Sequence, residues 1–204
     1  MYPTGRARAY GRRPLLEAAR EAVRSVAGAL VVYESVFGDA RRVAMAVAHG
    51  LCSRLQVDVA CAREAPMVVP SDVCLLVVGG PTHAFGMPRR ATREGAVRDH
   101  AAVIPDVTFG LHEWLDAVRL PRGIQAAAFD TRMDHPVLIT ALDHAARTEE
   151  KLLRRLGATL AAPAEHFLVA DVAGPLVDGE EDRARLWGQA LAELVAPHRI
   201  PVRG

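Results

Sequence analysis

"LVVYESVFGDARRVAMAVAHGL", residues 30–51, decides the fold. It opens with an unbroken apolar run that includes the β-branched pair Val31 and Val32. Such a run, without polar alternation, suits a strand covered on both faces, as in a parallel sheet. It closes with Val43, Val47 and Leu51 at helical spacing, which predicts a helix over 40–54 with one buried face. The turn between them carries Ser35 and Gly38. In that arrangement backbone N–H groups and the positive end of a helix can meet a phosphate. Ser35 offers a hydroxyl, Gly38 permits close approach of the backbone, and Arg41 or Arg42 could neutralise charge. Phe37 is too large to face a phosphate and is expected to pack over the site. Asp39 opposes this reading: an ionised carboxylate accepts hydrogen bonds and donates none. Two like charges ~4 Å apart repel by ~1 kcal/mol in water and by several at an effective dielectric near ~20. Asp39 is also a good N-cap for a helix that starts at Ala40. Both readings of Asp39 stay open on sequence.

Outward from this unit the chain keeps alternating. QVDVAC (56–61) and VCLLVVGG (73–80) read as strands, and IQAAAFDTR (124–132) as a fourth. A fifth is expected at 158–162, at 165–170 or at both, divided by Pro163. Helices are expected over 92–103, 110–118, 140–156 with Gly157 as C-cap, and 179–195. This alternation predicts one doubly wound α/β sheet with helices on both faces. Ligands of such sheets bind beyond the carboxyl ends of the strands. Three loops qualify: 34–40, 79–91 and 130–137.

Composition sets the frame. The 204 residues are half hydrophobic and about a quarter charged, in the ordinary globular range. No apolar run reaches the ~18 residues of a membrane span, and nothing resembles a signal peptide. Cys52, Cys61 and Cys74 lack metal-ligand spacing and are expected as buried core residues of a reducing compartment, here the cytoplasm. Residues 1–28 hold six arginines against Glu17 and Glu21, a net +4; since the whole chain is +1, the rest carries −3. The first 13 residues read as disordered and 14–27 as a short helix, so 1–28 is expected to be a solvated basic arm. It has no nucleic-acid-binding signature. The domain is expected over 29–197, with 198–204 as a tail.

VVYESVFGDARRVAMAVAHGL, DVCLLVVGGPTHAFGMPRRATR, AAAFDTRM and GPLVDGEEDRARLWGQALAEL together resemble, in order and spacing, the flavodoxin family over about 29–195. The resemblance implies a five-stranded parallel sheet of order 2-1-3-4-5 that binds FMN. It also implies electron transfer to a redox partner protein or a small-molecule acceptor. The residues that would hold the cofactor are Ser35, Phe37, Gly38, Asp39 and Ala40 in the first loop. Pro81, Thr82, His83, Phe85 and Gly86 would serve in the second, and Asp130, Thr131 and Arg132 in the third. Gly79 and Gly80 would bring backbone close to the ring edge, and His83 and Phe85 offer flat faces. The chain departs from the family at Asp39 and Ala40, where Asn and then Ser or Thr are usual. It also lacks the tyrosine that often stacks on the flavin from the third loop, leaving that face to Met133, to His135 or to a residue elsewhere. Arg89, Arg90 and Arg93 read as a small basic patch, and Trp187 as core. A second class of function is a flavin-free binding or regulatory module on the same fold. No membrane or nucleic-acid partner is expected, nor a metal.

Overall fold

The computed structural model describes residues 28–82, 87–133 and 145–195. The expected helix at 14–27, the basic arm, His83, Phe85, Gly86, His135 and the tail lie outside the described residues. In chain order the elements are β1 (Gly28–Tyr33), α1 (Asp39–Leu51), β2 (Gln56–Cys61), β3 (Val73–Pro81), α2 (Arg90–His100) and α3 (Leu111–Ala117). They continue with β4 (Gln125–Met133), α4 (Ala145–Arg155), β5 (Thr159–Leu160), β6 (Glu165–Val169) and α5 (Glu180–Val195).

The strands form one parallel sheet ordered β2-β1-β3-β4-β5, the order expected. The fifth position is filled twice. Thr159 and Leu160 pair with Gln125 and Ala126, and then Glu165–Val169 pair with Phe129–Met133. The ladder breaks between them because Pro163 has no N–H to donate. The freed N–H of Ala164 goes instead to Glu150 Oε1 on α4, at 2.8 Å.

Successive side chains on each strand point to opposite faces, and both faces are covered. Ala29 and Val31 of β1 join one core with Ala127 and Phe129 of β4, under α1 and α5. Leu30 and Val32 join the other with Ala126 and Ala128, under α3 and α4. Val43, Val47 and Leu51 of α1 are fully buried, as their spacing predicts; each such burial is worth ~1.5–3 kcal/mol.

Two close approaches shape the first core. A Cβ on Gly188 of α5 would fall 2.2 Å from the Val47 carbonyl oxygen, and one on Gly50 of α1 would fall 2.1 Å from the Arg185 carbonyl. The two helices therefore meet backbone to backbone. Nearby, Phe129, Phe167 and Trp187 meet edge to face with centroids 6.1–6.5 Å apart; Trp187, expected as core, is partly buried and packs against the core from its edge. Gly79 belongs to this packing. The Phe129 ring occupies the place of its missing side chain, so its use is to admit that ring rather than to approach a ligand. The cysteines depart from expectation: Cys52 is exposed at the end of α1, and Cys61 and Cys74 are half-buried.

Candidate functional site

The carboxyl ends of β1, β3, β4 and β6 open into a cleft of about 480 Å³. Its floor is the turn after β1. There Glu34 N–H donates to the Gly79 carbonyl at 2.9 Å, tying the turn to β3. The Gly38 N–H donates to Ser35 Oγ at 3.1 Å, which leaves the hydroxyl proton of Ser35 free to donate. Gly38 has φ +108°, a left-handed conformation that favours glycine, and it is the N-cap of α1.

That placement corrects one reading of Asp39. Asp39 is the first residue of α1 and does not cap it; the helix start has no side-chain cap. Its buried carboxylate is turned toward the segment after β6. Oδ1 accepts the Leu176 N–H at 3.2 Å, and the guanidinium of Arg42 lies 3.8 Å away. Gly174, at φ +87°, leaves room for it; a Cβ there would fall 2.2 Å from Asp39 Oδ2. The negative charge next to the cleft floor is thus committed to a backbone donor and a neighbouring arginine.

Ser35, Phe37, Asp39, Ala40, Pro81, Thr82, Thr131 and Arg132 all line the cleft, so the three loops converge as expected. Gly38 lies just outside it, as the cap of α1. The Thr82 N–H is fixed to the Thr131 carbonyl at 2.9 Å, while the buried Thr82 hydroxyl has no hydrogen-bond partner among the described residues. Phe37 stands edge-on to His100, with centroids 6.2 Å apart, and walls one side. Asp130 departs from expectation. It is 1% exposed, faces the second core, and holds His166 Nδ1 at 2.9 Å instead of lining the cleft.

Sequence reasoning missed a whole wall. Thr92, Ala96, Asp99 and His100 of α2, Val169 at the end of β6 and Val172 beyond it also line the cleft. Thr92, Ala96 and Asp99 recur at helical spacing, so a helical projection of α2 would have grouped them.

Arg93 is no part of a basic patch. It is 1% exposed and anchors α2 beneath the cleft. Its Nε and Nη2 donate to Glu34 at 2.7 and 3.1 Å, Nη2 also reaches Glu113 at 2.8 Å, and carbonyls of Pro88 and Val107 take the rest. Glu34 also accepts the Leu111 N–H at 2.7 Å, at the start of α3. Burial pulls against the charged guanidinium, but Glu34 and Glu113 outweigh it, so Arg93 stays more basic than usual. Burial pushes the Glu113 carboxyl up; hydrogen bonds led by Arg93 more than reverse this and leave it below the ordinary carboxylate range. Among the described residues, no cluster of His, Cys, Asp and Glu is arranged to hold a metal, and no helix is long and apolar enough to cross a membrane.

The strand order, the helices on both faces and a cleft at the strand ends define a flavodoxin-like fold. No protein-family model matches the sequence, and no curated protein does. Solved structures do. A flavodoxin from the Archaea aligns with a TM-score of 0.54 at 18% identity, over 82% of this chain and 98% of that one. Oxidised flavodoxin 2 from Bacillus cereus aligns with a TM-score of 0.54 at 16% identity, over 82% and 99%. A flavodoxin, WrbA-like protein from Agrobacterium tumefaciens aligns with a TM-score of 0.52 at 16% identity, over 83% and 97%. At these identities the likeness shows the fold.

Proposed function

We propose that the chain is an FMN-binding flavodoxin-like protein that acts as an electron carrier or a small flavin-dependent oxidoreductase. One observation carries the reading most: the buried Thr82 hydroxyl, without a partner among the described residues, in a cleft built from all three expected loops. Leaving such a group unsatisfied costs ~1–3 kcal/mol, so a ligand acceptor or donor there is favoured. The donor set suits a phosphate. The start of α1 has no side-chain cap, and Ser35 has a hydroxyl proton to give. Asp39 weakens this less than its charge suggests, because its carboxylate is held by Leu176 N–H and lies near Arg42.

When bound, FMN supplies one- and two-electron redox chemistry. Ser35 and the α1 N-terminus would hold its phosphate, Phe37 would shield it, and Thr82, Thr131 and Arg132 would border the rest. The electron donor and acceptor would be a redox partner protein or a small molecule. The charge and composition support a cytoplasmic protein without nucleic-acid or membrane partners.

The test is titration of the purified chain with FMN, read by quenching of flavin fluorescence. Submicromolar binding supports the proposal. No quenching at ~100 μM, a binding free energy no better than about −5.5 kcal/mol, refutes it. The second reading, a flavin-free binding module, draws on Ala40, whose methyl lines the cleft where the family usually has a hydroxyl. It requires Asp39→Asn with Ala40→Thr to create flavin affinity that the parent lacks.

A further inference from the structure

Glu149 of α4 is 1% exposed, and neither of its carboxyl oxygens has a hydrogen-bond partner among the described residues. It shares the inner side of the helix with Leu152 and Leu153, three and four residues on, which are buried in the second core. An ionised carboxylate in such a place would lose its hydration and receive nothing in return.

The groups around it do not help. β4 brings Asp130, itself buried and held by His166 of β6. Arg132, two residues further along the same strand, lines the cleft and makes no hydrogen bond to Glu149. Beyond lies Glu34, at the end of β1, and α3 brings Glu113; Arg93 holds both of them. His112 and Asp116 of α3 pair with each other. On β3 the ionisable side chain is Cys74, which packs against the opposite core, and β5 has none. On α4 itself, Arg154 pairs with Glu150, and Lys151 is exposed. The guanidinium of Arg93 is already shared by Glu34 and Glu113, and that of Arg154 is taken by Glu150. Burial, reinforced by Asp130 and Glu34, pushes the Glu149 carboxyl well above the usual range.

We propose that Glu149 makes α4 a pH-gated element of the fold: protonated, it lies against the sheet; ionised, it carries the inner turn of the helix out into water. Opening then releases one proton. While the closed form keeps that proton and the open form does not, the opening equilibrium grows about tenfold per pH unit. The window begins where an exposed Glu ionises, at 4.5, and ends where the buried one does. Because α4 packs on β4 and β3, whose ends form the cleft, the gate also loosens the wall at Thr131 and Arg132.

Hydrogen exchange of the full chain from about pH 5 to about pH 8, corrected for the intrinsic exchange rate, tests this. Protection of α4 is expected to fall as the pH rises from about 5, by about tenfold per unit until the buried carboxyl itself ionises, while β1 and β3 keep theirs. In Glu149→Gln the α4 slope is expected to vanish. Glu149→Leu, which matches the leucines around it, is the second variant. Protection of α4 that does not change with pH in the native chain overturns the proposal, as does the same slope in either variant. If neither variant folds, the native slope decides alone: tenfold supports, flat refutes. FMN binding does not enter the readout, so failure of the flavin reading would leave this result standing.

Discussion

Replacing Arg93 with Met should be among the most damaging single changes in the chain. The guanidinium makes five hydrogen bonds: two to Glu34, one to Glu113 and one each to the carbonyls of Pro88 and Val107. Met keeps much of the volume and removes the charge. The Glu34 side chain, 10% exposed, then keeps only the Leu111 N–H among the described residues, while Glu113, 31% exposed, can turn to water. Breaking a buried pair by removing one partner costs ~3–5 kcal/mol, because the other charge stays behind. For a domain of this size that lowers Tm by roughly 6–20 °C. The double variant Arg93→Met with Glu34→Gln removes the stranded charge and should recover a large part of the loss. Urea unfolding of the parent, both single variants and the double variant gives the coupling directly. A single-variant cost below ~1 kcal/mol, or a double variant as unstable as the sum of the singles, would refute the account. It would mean that Arg93 fills space and holds no charge in place.

Further outcomes follow from local geometry. Gly188→Ala should destabilise by ~1–3 kcal/mol, since its methyl would press on the Val47 carbonyl and part α1 from α5. Gly95→Ala should instead stabilise by ~0.5–1 kcal/mol, because among the described residues the only atoms near its Cβ are the ends of exposed side chains 3.7–3.8 Å away; thermal melts separate the two signs. Acid unfolding should begin as the pH falls below about 4.5. Glu113 and Glu180 have folded-state carboxyls below their ordinary value, so the stability they lend is present above that pH and is lost as the pH falls through the lower, folded-state value. Glu113→Gln and Glu180→Gln should each flatten the acid limb of the stability curve. Thr82→Val should weaken FMN binding at least ~5-fold, one lost hydrogen bond, without lowering stability, since the hydroxyl has no partner among the described residues to lose.

Much of this molecule was legible as sequence wherever a local period carried the signal. β2 spans Gln56–Cys61, and β3 and β4 fall within a residue of the expected bounds. Pro163 announced that the fifth position is divided, because a missing N–H is a local fact. The convergence of the loops was legible too, since it follows from strand ends in a parallel sheet. What stayed hidden were the partners of charged residues far apart in sequence. Arg89, Arg90 and Arg93 look alike as letters, yet the register of α2 turns only the third inward with Ala96. Its carboxylates stand 59 positions before and 20 after it. Glu149 left a fainter trace: a carboxyl placed at i, i+3 and i+4 with two leucines, inside the stripe that had to be buried.

Asp39 shows how such a distant partner changes chemistry rather than packing alone. As a member of the turn it looks like a charge aimed at an incoming phosphate. In the fold it meets a loop 137 positions later, where Gly174 clears space and Leu176 donates an N–H. The carboxylate is thus consumed as a structural acceptor that fastens α1 to the segment after β6. Asp39→Asn separates this role from any effect on a ligand. An amide oxygen still accepts from Leu176, so the fold should lose less than ~1.5 kcal/mol, the worth of one hydrogen bond. The removed charge should tighten FMN binding by at most about tenfold, because Leu176 N–H and Arg42 already attenuate it. A gain of a thousandfold would show that the carboxylate faces the phosphate after all. A large loss of stability, with affinity unchanged, would show that the charge itself holds the loop.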